Sequence, residues 1–174
     1  MRVEFRKLKP MDAVWFRNFM LQGCRTAPED VGMMADEWGE ENSLEILAER
    51  FHTGWSQPDQ FVMGAFSEGQ LVGTLGFSRG NRMMSAHHAY IWGVHVDPSY
   101  RGAGIAKSML QEIINTSRGM KGLEMLRLKV RSTNHKARNL YQAVGFKSVG
   151  VEPRVLKWGD TYIDLEWMVL DLAQ

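Results

Sequence analysis

The sequence has one cysteine, Cys24, so no internal disulfide can form. Such usage fits a reducing compartment, and a cytoplasmic protein is the expectation. No special context surrounds Cys24, which reads as a small core residue rather than a nucleophile. A basic excess is missing too: 21 Lys and Arg stand against 20 Asp and Glu. Binding many phosphates requires such an excess, so nucleic acid is excluded as the main partner. No apolar run approaches the roughly 20 residues that a membrane helix needs. The opening "MRVEFRKLKP" lacks the apolar core of a signal peptide, so neither a membrane partner nor export is expected. Repeats, low-complexity tracts and Pro/Gly/Ser linkers are also absent. A single domain over residues 1–174 is expected, with 44% hydrophobic residues to fill its core.

What is present is a succession of short periodic segments. "VEFRKL" alternates as a strand, and Asp12 reads as the start of a helix that stops at Gly23. "TAPEDVGMMADEWGEENS" reads as an irregular acidic stretch before a second helix from Ser43 to about His52. "QFVMGAFS" and "QLVGTLGFS" are strands joined around "EGQ", a hairpin signal. "AHHAYIWGVHV" is a further strand, ended by Asp97-Pro98. The next helix, about Gly104 to Thr116, presents Ile105, Met109, Leu110, Ile113 and Ile114 on one face. "MLRLKVRS" alternates Leu126, Leu128 and Val130 against Arg127, Lys129 and Arg131. "NHKARNLYQAVG" is a helix stopped by Gly145, and "FKSVGVEPRVLKW" and "YIDLEWMVL" are closing strands around "GDT". Several hairpins and one parallel crossover imply an α+β fold, a mixed α/β sheet with helices on its faces.

"YRGAGIA", residues 100–106, places very little side chain between a strand and a helix. The first turn of a helix leaves backbone N–H groups unpaired, and these bind anions, above all phosphates. Glycine and alanine let a phosphate approach the backbone. The stretch is therefore a pyrophosphate cradle or a tight turn that packs a helix on a sheet. The chain has no G-x-x-x-x-G-K-[ST] loop, and Gly102 and Gly104 run into Lys107 after several strands, which disfavours both common nucleotide motifs.

"VHVDPSYRGAGIAKSML" resembles the signature of the GNAT superfamily of N-acetyltransferases, with Arg101, Gly104 and Ala106 at its positions. A second block of that family is met by Asn134, Ala137, Leu140, Tyr141, Gly145 and Phe146, in the right order with a strand between. The resemblance is sharp over about residues 89–146. It implies a GNAT-like acyl-CoA N-acyltransferase fold, with a mostly antiparallel sheet splayed at the cofactor site and helices on both faces. Acetyl-CoA is then the donor substrate, and no metal is needed. Its pyrophosphate would sit on the amides of Arg101, Gly102, Ala103, Gly104, Ile105 and Ala106, with Lys107 near. Its pantetheine arm would run along the strand at Val94, His95 and Val96. The Val94 N–H would face the oxyanion. Asn134 would hold the cofactor, Arg138 would reach a phosphate, and Tyr141 would protonate the leaving thiolate, as a phenol with a pKa of about 10 can. Gly93 in mid-strand fits a bulge or a close backbone approach.

The sequence marks no general base. The strand before the loop carries no carboxylate before Asp97, and His95 points away from the Val94 and Val96 side. Glu152, Glu166 and ordered water are the other candidates. His87 and His88 are adjacent on a strand and so poorly placed to chelate a metal. Asp36, Glu37, Glu40, Glu41, Glu45 and Glu49 form either an acidic wall for a cationic amine or a solvated helix face. Trp38 and Trp55 are candidate apolar walls of the same acceptor region. The expected activity is acetyl transfer to a primary amine of a small molecule or peptide, by direct attack in a ternary complex. The alternatives are O-acyl or longer-acyl transfer and a CoA-binding sensor. The two late strands allow a homodimer by analogy with relatives.

Overall fold

The computed structural model describes residues 2–173. The chain forms two compact units. The first comprises Met1–Ser78 and Gly93–Met109, the second Arg79–Trp92 and Leu110–Gln174.

The first unit opens with strand β1 (Val3–Lys7), a 3-10 turn (Pro10–Asp12) and helix α1 (Ala13–Thr26). Helices α2 (Pro28–Val31), α3 (Ala35–Glu41) and α4 (Leu44–Thr53) follow, then β2 (Ser56–Gln57), β3 (Gln60–Ser67) and β4 (Gln70–Arg79). β3 pairs antiparallel with both β1 and β4. The β3–β4 turn is Glu68-Gly69, with φ of +50° and +80°. Left-handed values at both central residues match the twist of a two-residue hairpin. Phe61, Val62, Leu71, Val72, Leu75 and Phe77 are buried, because these strands are covered on both faces. α1 is tied to α3 and α4 by aromatic packing. Phe16 stands edge-on to Trp38, Phe51 and Trp55, with centroids 6.1, 5.5 and 5.9 Å away.

Two expectations are corrected in this unit. α1 does not stop at Gly23 but runs on to Thr26, ending before Pro28. Gly23 instead marks a close approach, since a Cβ there would come within 3.2 Å of the His95 ring. The start at Asp12 holds, since Asp12 is the N-cap residue of α1, although its side chain makes no cap bond there. It accepts the Lys9 N–H at 2.8 Å and both ends of the Arg6 guanidinium at 2.7 and 2.9 Å. The stretch 26–43 is not irregular but holds α2 and α3. The acidic side chains Asp36, Glu37, Glu40, Glu41, Glu45 and Glu49 are all exposed, while Trp38 is buried in the core.

Strand β5 (His88–Val96) begins in the second unit, and Gly93–Val96 belong to the first. Helix α5 (Ile105–Arg118) follows a second 3-10 turn (Pro98–Tyr100). The second unit continues with β6 (Met125–Arg131), α6 (His135–Ala143), β7 (Lys147–Trp158) and β8 (Thr161–Asp171). β8 lies between β6 and β7 and is antiparallel to both. β5 is parallel to β6 over His88↔Met125, Ala89↔Leu126 and Tyr90↔Arg127 only. Leu126, Leu128 and Val130 are buried on one face of β6, as their alternation requires. Among the described residues, no helix is long and apolar enough to cross a membrane.

Burial pushes the Asp12 carboxyl up, but Arg6 and the Lys9 N–H outweigh it and hold the group below the usual carboxylate range. A lowered folded pKa contributes stability that is complete above the unfolded value of about 3.9 and is lost as pH falls through the folded one. Asp12→Ala should therefore cost about 3 kcal/mol at neutral pH, and the gap to wild type should close in acid. Urea unfolding at several pH values measures both.

Candidate active site

In the first unit the sequence-predicted loop is built from the strand end outward. Asp97 accepts the Ser99 N–H at 2.8 Å and so fixes the turn after β5. The Arg101 Nε donates to the Val96 carbonyl at 3.0 Å, which folds that side chain back on the strand. Gly102 and Gly104 have φ of +83° and +78°, and no atom lies within 4 Å of where a Cβ would stand on either. A side chain there would occupy the space over the amides. The Gly104 carbonyl accepts the Ser108 N–H at 2.9 Å, so the helix ladder starts at Gly104. The N–H groups of the first turn of α5, Ile105 to Lys107, have no carbonyl of their own ladder. The geometry suits a pyrophosphate: exposed loop, glycine at the closest approaches, and the positive end of a 14-residue helix behind it.

Gly93 has φ of +58° with open space beside it, a left-handed backbone in mid-strand that glycine adopts at no steric cost. The Thr74 hydroxyl donates to its carbonyl at 3.0 Å. Val94, His95 and Val96 follow directly. The His95 ring packs on α1, edge-on to Phe19 at 5.3 Å and against Gly23. Burial, helped by the nearby Arg101 charge, lowers the His95 pKa, so the ring is neutral at pH 7.

In the second unit α6 carries Asn134, Arg138 and Tyr141. The Asn134 carbonyl oxygen caps the helix by accepting the Ala137 N–H at 3.1 Å. Tyr141 is buried, its ring edge-on to Phe146 at 6.1 Å. The Phe146 N–H donates to the Tyr141 carbonyl at 3.0 Å, so the turn at Gly145 closes on the tyrosine. Arg138 forms an ion pair with Glu166 of β8, a carboxylate 1% exposed. Burial pushes the Glu166 carboxyl up, yet the Ser148 hydroxyl and Arg138 prevail and hold it below its ordinary range. Glu152 is lowered likewise by the Trp167 indole and Lys129. Both carboxylates are ionised and weakly basic.

The model of the Acetyltransferase (GNAT) family matches residues 26–146. The chain belongs to that family. N-alpha-acetyltransferase RimI of Mycobacterium tuberculosis is 36% identical over 104 residues, covering 60% of this chain and 63% of that protein. The chain spans less than two thirds of that relative and 24% of another mycobacterial one. A GNAT-family acetyltransferase from Streptococcus pneumoniae superposes with a TM-score of 0.86 at 22% identity, covering 98% and 99% of the two chains. The yncA protein of Salmonella typhimurium, solved with its cofactor acetyl-CoA, superposes with a TM-score of 0.78 at 18% identity, covering 100% and 96%. These likenesses establish the α+β acyl-CoA N-acyltransferase fold, with its mostly antiparallel sheet, that the two sequence blocks imply.

Sequence reasoning missed the Arg138–Glu166 pair, whose partners meet only when α6 lies over β8. Glu166→Ala strands a half-buried guanidinium and should cost about 3 kcal/mol, whereas Arg138→Met with Glu166→Leu should recover most of the loss. Equilibrium denaturation of both variants measures the difference.

Proposed function

We propose that the protein is an acetyl-CoA-dependent N-acetyltransferase acting on a primary amine of a small molecule or peptide. The observation that carries the reading is the open loop of Gly102 and Gly104 leading into α5, within a chain of the GNAT family. The RimI relative is by name an N-alpha-acetyltransferase, which supports an amine as acceptor.

In this reading the amides of Arg101, Gly102, Ala103, Gly104, Ile105 and Ala106 bind the pyrophosphate, with Lys107 beside them. Backbone of Val94, His95 and Val96 pairs with the pantetheine arm. Acetyl-CoA supplies a thioester carbonyl, which the neutral amine attacks. The Val94 N–H donates to the developing oxyanion, a contribution of about 3 kcal/mol where such a donor is well placed. As the carbon–sulfur bond breaks, the Tyr141 hydroxyl gives its proton to the sulfur, and the amine loses one to water. Asn134 and Arg138 contribute to cofactor binding from the start of α6. His95, neutral but packed on α1, is not required for the proton count.

Thiol release from acetyl-CoA across a panel of amino acids, polyamines, aminoglycosides and peptides tests this. Tyr141→Phe should lower kcat by about 100-fold or more, with little change in acetyl-CoA affinity. Gly104→Val should instead abolish acetyl-CoA binding, measured by calorimetry. Binding that survives Gly104→Val, or turnover indifferent to Tyr141→Phe, would sink the respective assignment.

A further inference from the structure

β4 of the first unit is an apolar strand with one hydroxyl in its buried run. Leu71, Val72, Leu75 and Phe77 are buried, and Thr74 stands among them only 1% exposed. Valine would fill the same space without the hydroxyl. A buried hydroxyl costs free energy unless it is hydrogen-bonded, so the partner of Thr74 matters. Two acceptors lie near: the Gly93 carbonyl at 3.0 Å and the Met20 sulfur of α1 at 3.8 Å. A hydroxyl has one proton to give, and a thioether is the weaker acceptor. The proton therefore goes to Gly93.

That carbonyl belongs to the peptide group that also carries the Val94 N–H. The peptide is trans and planar, so its oxygen and its hydrogen point in opposite directions. Fixing one fixes the other, and the Val94 N–H is aimed away from Thr74. The restraint is needed at this position. Gly93 has left-handed φ and nothing within 4 Å of a notional Cβ, so no side chain of its own holds the peptide's direction. Thr74 is suited to supply the restraint. Its branched side chain has few rotamers, and its strand is held in register by the Gly64↔Thr74 pair with β3. A second bond, from the Asp97 N–H to the Val72 carbonyl at 3.0 Å, ties the end of β5 to the same strand. Val94, His95 and Val96 thus lie between two anchors on β4.

We propose that Thr74 is a positioning residue, which orients the Gly93–Val94 peptide so that the Val94 N–H is preorganised for the oxyanion. This rests on the reading of Val94 given above. A donor that is already oriented needs no reorganisation as charge develops, and that is the source of its catalytic value.

Two substitutions separate positioning from packing. Thr74→Val keeps the shape and removes the donor, whereas Thr74→Ser keeps the donor and removes a methyl group. The direct readout is the infrared band of acetyl-CoA isotopically labelled at its thioester carbonyl and bound without acceptor. In wild type and in Thr74→Ser the band should lie below its position in water, because the donor polarises the carbonyl. In Thr74→Val it should return most of the way, with acetyl-CoA affinity unchanged. With an acceptor found by thiol release, Thr74→Val should lower kcat by about 10- to 100-fold and leave the KM for acetyl-CoA alone. Thr74→Ala also lacks the donor and carries the same expectation should Thr74→Val not fold. A band that stays low without the donor, or that moves equally in Thr74→Ser and Thr74→Val, overturns the positioning role and leaves the Val94 reading standing. A wild-type band at its position in water overturns the Val94 reading itself, and the role of Thr74 with it.

Discussion

The first turn of α5 must leave its N–H groups to something other than the helix, and the loop before it is shaped around that constraint. Two residues with left-handed backbone, Gly102 and Gly104, bend the chain so that nothing stands within 4 Å of a notional Cβ on either. Few other residues adopt this geometry cheaply, since the left-handed region costs L side chains about 1 kcal/mol or more. The surroundings hold it in place. Asp97 secures the turn before it, Arg101 is bent back to the strand, and the Ile105 and Met109 side chains are buried beneath the helix. The loop is exposed while everything that supports it is anchored, which is what a preformed anion site requires.

A similar division of labour holds in the second unit. Asn134 caps α6, Arg138 pins it to buried Glu166, and Tyr141 ends buried on its apolar side. Desolvation makes such a buried ion pair expensive, so it is a poor source of net stability. The pair instead sets the helix in one orientation, so that a hydroxyl three residues on is held where it stands.

Much of this was legible in the sequence where chemistry and local geometry coincide. The alternation of "MLRLKVRS", the "EGQ" turn and the small residues before Ile105 state their structures directly, because period, turn type and backbone freedom are local properties. α2 and α3 were not legible, since helices of 4 and 7 residues hold too little periodicity to read. Gly23 misled because a glycine inside a helix is equally a stop signal and a place for close packing. Only the fold shows that the His95 ring fills that space. The Arg127 cluster was half visible: alternation put Arg127 and Lys129 on one side, but strand register decides that Trp167 lies beside them.

Charge counted along the chain therefore misleads about charge in space. The six carboxylates from Asp36 to Glu49 look like the strongest electrostatic feature of the sequence, yet all are exposed. In water their mutual field is screened beyond about 8 Å at physiological salt. Arg127 looks unremarkable among 21 basic residues, but part of its guanidinium is removed from water with no acceptor supplied. Coulomb energy per charge rises several-fold as the effective dielectric falls from that of water to about 20. A half-buried guanidinium therefore exerts a stronger local field than any one carboxylate of the exposed acidic run. The glutamate that would have silenced this cluster, Glu152, is already divided between Lys129 and the Trp167 indole. Glu152 reaches Lys129, and that contact sets where the positive charge of this sheet face is offset.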